Sequence, residues 1–270
     1  MRYQCLVLDH DDTVVDSTAS VHYPAFMETL RRLRPGKWEA LTLDEYLLSN
    51  FEPGFAEFCR DILGFTPEED AEQGRAWERY VAAHVPSVFP GMRALLWRCR
   101  EAGIRLCVVS HSLKENILRD WRENGLPEPE LVYGWDNDPE RRKPSPWPLK
   151  DILRQTGLSA DALLMVDDLK PGKQMADACG VDFAAAGWAH QVPQIVEFMH
   201  RKCSRYCRMS VGWKRLCMGR SFNSDGGRLE AGKADGRRLR RAVEFMRREC
   251  PRYCPDVRAL KSIMFGERLR

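Results

Sequence analysis

Apolar residues along the first two hundred positions follow two alternating patterns. Short unbroken runs, Leu6-Val7-Leu8, Ile104 to Val109 and Ala162 to Val166, read as strands buried on both faces. Each run ends in polar residues: Asp9-His10-Asp11-Asp12-Thr13, Ser110-His111-Ser112 and Asp167-Asp168. Between the runs lie stretches of helical period with start and stop signals. Ser112-x-x-Glu115 predicts a capping box opening a helix over 113–124 with Gly125 as the stop, and Pro90-Gly91 precedes a helix over 92–102 stopped by Gly103. Strands alternating with crossover helices specify a parallel α/β sheet, and such sheets bind ligands at the carboxyl ends of their strands.

The stretch between the first two strands is too long for a crossover. It reads as helices, with Tyr23 to Leu33 periodic and with start signatures at Thr42-x-x-Glu45 and Thr66-Pro67-Glu68-Glu69. The expected organisation is therefore an α/β core from residues 1–16 and 88–200 with a helical subdomain over 17–87. In the tail, Val196-Glu-Phe-Met-His-Arg-Lys-Cys203-Ser-Arg-Tyr-Cys207 recurs as Val243-Glu-Phe-Met-Arg-Arg-Glu-Cys250-Pro-Arg-Tyr-Cys254. Residues 201–249 read as a basic, partly duplicated, mobile insertion, and 250–265 as the displaced end of the core.

Composition narrows the class. With 270 residues, 42 Lys+Arg, 39 Asp+Glu and 44% hydrophobic content, a collagen, wholesale disorder and a membrane bundle are excluded. No apolar run approaches the roughly 20 residues of a membrane span and Met1 to Cys5 carries no apolar leader core, so the expected location is cytoplasmic. The ten cysteines are scattered through a chain too large to need stapling and read as free thiols. Charge is uneven: residues 1–200 are net acidic, whereas 201–270 hold 20 basic against 7 acidic side chains. A tail of that balance leaves nucleic acid or an acidic protein as an alternative partner, although no nucleic-acid motif accompanies it. Cys203-x3-Cys207 and Cys250-x3-Cys254 could be drawn as a zinc site, but a duplicated helix explains the spacing without a metal.

The strand ends carry the chemistry. Asp9 and Asp11, one residue apart, can divide attack and proton transfer between them, although Asp-x-Asp by itself also suits a turn or a cap. Asp167-Asp168 adds a second acidic pair. Several carboxylates at one sheet edge repel unless a cation lies among them, and an all-oxygen donor set suits Mg²⁺. Ser110 and Lys143 offer the hydroxyl and the fixed positive charge that a phosphoryl group requires.

These four pieces in this order resemble the haloacid dehalogenase superfamily, which is mostly phosphatases. Asp9-His10-Asp11-Asp12-Thr13 matches its first motif, Ser110 after Val108-Val109 its second, Lys143-Pro144-Ser145-Pro146 its third and Val166-Asp167-Asp168 its acidic fourth. The resemblance implies a three-layer, Rossmann-like core in which Asp9 attacks phosphorus and Asp11 protonates the leaving group and then activates water. It further implies that Ser110, Lys143 and His111 line the phosphate site and that Asp9, the main chain of Asp11, Asp168 and Asp167 hold Mg²⁺. The insertion between the first and second motifs resembles the cap of the phosphoglycolate phosphatase and β-phosphoglucomutase-like branch, implying a small phosphorylated metabolite as substrate. Phosphomutase is the enzymatic alternative, with Thr13 tilting against it, and a non-catalytic binding protein using the basic tail is the other. Arg75, Arg79, Lys37 and Trp77 in the insertion read as solvated or packing residues. Three positions depart from the family pattern: Asp12 and Asp167 stand where Gly is usual, and Gly172 where some members carry a further acid.

Overall fold

In a computed structural model of the chain, residues 3–36, 38, 40–203, 206–208 and 264 are described. Six parallel strands run in the order β3-β2-β1-β4-β5-β6: β1 Cys5–Leu8, β2 Arg105–Val109, β3 Leu131–Tyr133, β4 Leu163–Asp167, β5 Asp182–Gly187 and β6 Tyr206–Arg208. The chain leaves β1 first toward β2 and β3, then returns to lay β4, β5 and β6 on the other side. The order thus reverses next to β1, which places a crevice at the carboxyl ends of β1 and β4.

Strand periodicity divides the core into two apolar layers. Leu6, Leu8, Leu106, Val108, Leu164 and Val166 face one side, where they meet α5 (Met92–Glu101) and α6 (Lys114–Glu123) through Met92, Leu96, Ile117 and Trp121. Cys5, Val7, Cys107, Val109 and Met165 face the other, against α7 (Trp147–Thr156), α8 (Lys170–Cys179) and α9 (Pro193–Lys202). This is the three-layer arrangement. Beyond residue 208 only Met264 is described, helical and fully buried in the first layer. The first copy of the tail repeat runs through α9 into β6, whereas the second copy with its cysteine pair and the basic stretch before it lie outside the described residues.

The residues between β1 and β2 form α1 (Tyr23–Leu33), α2 (Leu43–Phe51), the short α3 (Phe55–Glu57) and α4 (Pro67–Ala83). They enclose an apolar cluster of their own in which Phe26, Leu30, Tyr46, Phe58, Cys59, Leu63 and Phe65 are buried. The two capping boxes read from the sequence are formed, with Thr42 and Glu45 exchanging bonds at the start of α2 and Thr66 and Glu69 at the start of α4. The chain enters the insertion through a π-helical turn, Thr18–His22, and leaves it through residues 84–88. The two crossings lie side by side, since Asp16 N–H donates to Ser87 and Phe89 N–H to Val14.

The capping box expected at Ser112 is absent. Helix α6 begins at Lys114 with Leu113 as its N-cap and no side-chain cap bond, because the Ser112 hydroxyl donates instead to Asp11 Oδ2 at 2.7 Å. Strands β3, β5 and β6 also go beyond the three strands legible in the sequence. Among the described residues, no helix is long and apolar enough to cross a membrane, and Cys5, Cys59, Cys99, Cys107, Cys179 and Cys203 are free thiols.

Candidate active site

The polar loops that follow β1, β2 and β4 meet at the crevice. Asp9 follows β1 directly, and the loop turns at Asp12, whose φ of +53° is left-handed. Asp is among the few side chains that tolerate this conformation where Gly is otherwise expected. Asp12 also accepts the Thr18 N–H at 2.9 Å, tying the loop to the first crossing. Burial pushes the Asp12 carboxyl up to about 6 against the bonds from Thr18.

Asp9, Lys143, Asp167 and Asp168 form one buried charged group. The Lys143 Nζ stands 2.9 Å from Asp9 Oδ1 and donates to Asp167 Oδ2 at 2.7 Å. Asp9 Oδ1 also accepts the His10 N–H at 2.7 Å. Asp167 Oδ1 accepts the Leu169 N–H at 2.8 Å, so both its oxygens are engaged. Burial works to lower the Lys143 ammonium pKa, but Asp167 and Asp9 outweigh it and raise it above the ordinary value. Asp168 goes up well beyond the usual carboxylate range, through burial and then through the negative charges of Asp9 and Asp12. His190 Nε2 lies 3.2 Å from Asp168 Oδ2.

One oxygen from each of Asp9, Asp167 and Asp168 lies within 4.8 Å of the others. Three buried carboxylates facing a single ammonium leave an excess of negative charge in a low-dielectric setting, and oxygen donors suit a hard divalent cation. The residues present therefore fit such an ion. Gly172 belongs to the same construction. A Cβ at that position would overlap the Asp167 carboxylate and stand 2.6 Å from its Cβ, so an acid at 167 requires the bare backbone at 172.

Asp11 sits in different company. Its Oδ1 accepts from Ser17 Oγ at 2.8 Å and from His22 Nε2 at 3.0 Å, and its Oδ2 from Ser112 Oγ at 2.7 Å and Ser110 Oγ at 3.2 Å. Burial pushes the Asp11 carboxyl up, and the hydrogen bonds from His22 and Ser112 act against burial to hold it down. The Trp77 indole N–H, from α4, donates to His22 Nδ1 at 2.9 Å. An indole can only donate, so Nδ1 is the acceptor and the ring proton is on Nε2, aimed at Asp11. Burial lowers the His22 pKa and Asp11 raises it further than burial lowers it, but a second proton on Nδ1 would confront the Trp77 N–H. The neutral ring fits both partners.

His111 donates from Nε2 to the Lys143 carbonyl at 2.9 Å, and burial followed by the Lys143 charge lowers its pKa. It thus ties the loop after β2 to the lysine. The structure brings Asp9, Lys143, Asp167 and Asp168 into one contact group and Asp11 and Ser110 into a second. Ser17 and His22 are additional members that the sequence reading did not single out, and Ser112, read there as a helix cap, is a third. Trp77, read there as a packing side chain, orients His22. Arg75 and Arg79 make no contact with this group that the structure records, and Lys37 lies outside the described residues.

The sequence model of the haloacid dehalogenase-like hydrolases matches residues 6–186. A phosphoglycolate phosphatase of Rhodospirillum rubrum is 32% identical over 130 residues, which is 46% of this chain and 53% of that protein; the match thus spans about half of the relative's length. The pyrophosphatase PpaX of Halalkalibacterium halodurans is 22% identical over 70% of this chain and 86% of its own. Among solved structures, CbbY from Rhodobacter sphaeroides in complex with phosphate superposes with a TM-score of 0.53 at 26% identity, over 68% of this chain and 85% of its own. A haloacid dehalogenase-like family hydrolase from Streptococcus pneumoniae gives a TM-score of 0.61 at 16% identity over 80% and 98%. Fold, motif order and the span of the family match agree, and the chain belongs to the haloacid dehalogenase-like hydrolases.

Proposed function

We propose that the protein is a Mg²⁺-dependent phosphatase that hydrolyses a small phosphomonoester through an aspartyl-phosphate on Asp9. The observation that carries this reading is the contrast between two carboxylates on one loop. Asp9 is held by a fixed ammonium and a backbone N–H, whereas Asp11 is held by hydroxyls and an imidazole that can exchange protons and partners.

In the first half-reaction an Asp9 carboxylate oxygen bonds to phosphorus while the bond from phosphorus to the ester oxygen breaks. Asp11 takes up a proton as the anionic ester binds beside it and delivers that proton to the departing oxygen. In the second half, Asp11 takes a proton from water as the water oxygen bonds to phosphorus, and the Asp9–phosphorus bond breaks to release phosphate. Lys143 offsets the charge that builds up as an anionic nucleophile meets an anionic ester, and Ser110 donates to a phosphoryl oxygen. Asp9, Asp168 and the Asp11 carbonyl would hold the cation, which when bound neutralises phosphoryl charge. Asp167, with both oxygens engaged, serves mainly to fix Lys143. The helical insertion covers the site and selects a small metabolite phosphate, a reading supported by the phosphoglycolate phosphatase relative.

The test is hydrolysis of p-nitrophenyl phosphate with and without Mg²⁺ by wild type and Asp9→Asn, followed by a panel including phosphoglycolate and pyrophosphate. Metal-dependent turnover lost in Asp9→Asn is the expected result. Turnover that survives the substitution would sink the mechanism.

A further inference from the structure

The helix α6 grips the point where the insertion rejoins the core. From Arg119, Nη1 donates to the carbonyls of Val81 at 2.9 Å and Ala82 at 3.1 Å, and Nη2 to that of His84 at 3.2 Å. These carbonyls lie at the C-terminal end of α4, where the last turn of a helix has no N–H of its own to offer and carries the negative end of the dipole. One guanidinium therefore caps the helix that ends the insertion.

The same guanidinium reaches inward. Its Nε and Nη2 donate to Asp120 Oδ1 at 2.9 and 2.7 Å. The other oxygen, Asp120 Oδ2, lies 3.1 Å from His10 Nε2. Asp120 is 3% exposed and His10 1%, so neither can exchange its partner for water. Nδ1 of His10 has no hydrogen-bond partner among the described residues, which makes Asp120 the side chain on which the ring depends. His10 in turn shapes the loop after β1. Its N–H donates to Asp9 Oδ1, and its carbonyl accepts from Val14 at 2.9 Å and Val15 at 3.2 Å.

We propose that Arg119 and Asp120 are positioning residues that couple the seating of the helical insertion to the geometry of the Asp9 loop through His10. While the end of α4 is seated, the three carbonyls fix Arg119, Arg119 fixes one oxygen of Asp120, and the other oxygen fixes His10. When α4 moves away, Arg119 loses three acceptors and Asp120 is freed to turn from His10, loosening the loop that presents Asp9. The coupling needs one bistable element, the Arg119–Asp120 fork, which is biased from both ends. A purely structural role would instead have Arg119 stabilise the insertion with no consequence at residues 9–13.

Hydrogen exchange on the full chain separates the two. Arg119→Gln is expected to speed exchange about tenfold both at residues 81–90 and at 9–15. Asn124→Ala is the control. Asn124 sits one turn further along, donates to Pro86 O at 3.0 Å and accepts the Val88 N–H at 3.2 Å, so it loosens the same crossing without touching Asp120's carboxylate. It is expected to speed exchange at 84–90 alone. Asp120→Asn, which preserves volume, is expected to speed 9–15 while leaving 81–84 slow, and it keeps the test open should Arg119→Gln fail to fold. Opening of 81–90 in Arg119→Gln with 9–15 unchanged, or equal loosening of 9–15 in Asn124→Ala, overturns the coupling. The kinetic arm rests on the phosphatase reading: Arg119→Gln is expected to lower kcat about tenfold with KM within about twofold. The Arg119→Gln/His10→Asn double variant should fall no lower than the worse single variant, and additive losses count against the relay. Absence of turnover in the wild type would remove the phosphatase reading while leaving the exchange result to decide the coupling.

Discussion

On one side of the loop after β1, Asp9 is surrounded by formal charge; on the other, two residues away, Asp11 is surrounded by neutral donors. The Asp9 side is built entirely by the core: Lys143, Asp167 and Asp168 come from the loop before α7 and from the end of β4. The Asp11 side draws Ser110 and Ser112 from the core but Ser17 and His22 from the crossing into the insertion, with Trp77 of α4 behind His22. On the proposed mechanism, the difference lets one loop hold a fixed nucleophile beside an adjustable acid. Charge pairs buried at 2.7–2.9 Å resist displacement because separating them exposes an unpaired ion. Hydroxyls rotate, and donors carried by the insertion would change with any shift in its position.

The contrast predicts unequal responses to neutralising each carboxylate. Asp9→Asn is expected to abolish turnover, a fall of about 10⁴-fold or more, for every ester tested. Asp11→Asn is expected to cost about 10²–10⁴-fold, with a steeper loss for alkyl phosphates than for p-nitrophenyl phosphate, whose leaving group needs little protonation. Steady-state kinetics on both substrate types checks this, and an Asp11→Asn loss independent of the leaving group would erase the division of labour.

Removing the central cation tests the charged side alone. Lys143→Met leaves three buried carboxylates facing one another, and a loss of about 3–5 kcal/mol in urea unfolding with EDTA present is expected. Divalent cation should return part of it. Gly172→Ala probes the same side sterically, since the new methyl meets the Asp167 carboxylate. A loss of about 1–3 kcal/mol is expected, and because the contact includes the Asp167 Cβ at 2.6 Å, Asp167→Gly/Gly172→Ala should show no further loss beyond Asp167→Gly. Additive losses in that pair would break the link between the two positions.

Much of this was legible in the sequence, for a physical reason. Apolar runs ending in Asp9, Ser110 and Asp167 announce strands whose polar ends converge whenever the sheet is parallel. The runs that form β3 and β5 gave no such signal, because Leu131–Tyr133 is three residues long and Asp182–Gly187 is half alanine, without the β-branched bulk that marks a strand. Ser112 shows the limit of local reasoning. Ser-x-x-Glu reads as a helix cap, but the hydroxyl finds Asp11, 101 positions away. His22 and Trp77, 55 positions apart, and Asp120 on its helix face carry no motif at all, since their meaning arises only when the insertion is seated on the core.

The pH dependence of stability sharpens the comparison further. Asp12 has its folded pKa pushed up to about 6 from 3.8, so between those values the unfolded chain releases a proton that the folded chain keeps. The contribution of Asp12 to stability is therefore fully present below about pH 4 and declines as pH rises toward about 6. Asp167 and Asp168, raised in the same direction, extend the decline upward when no cation is bound. Thermal unfolding in EDTA across this range checks it. Asp12→Asn, which tolerates the left-handed turn and still accepts from Thr18, should flatten the lower part of the curve, and an unchanged slope would show that Asp12 is not its source.

The smallest expected effect lies on the neutral side. Trp77→Phe retains a ring against His22, where the two rings now lie 5.8 Å apart, but removes the N–H that occupies Nδ1. That nitrogen can then take a second proton, and the adjacent Asp11 anion favours it. The His22 pKa should rise, so the acid limb of the kcat/KM profile should move to higher pH by less than about one unit, with kcat at neutral pH reduced less than about threefold. A structural role for Trp77 would lower activity equally at every pH and shift no limb. A displaced limb accordingly shows that the insertion sets the protonation of His22, and through it that of Asp11, by a single indole N–H.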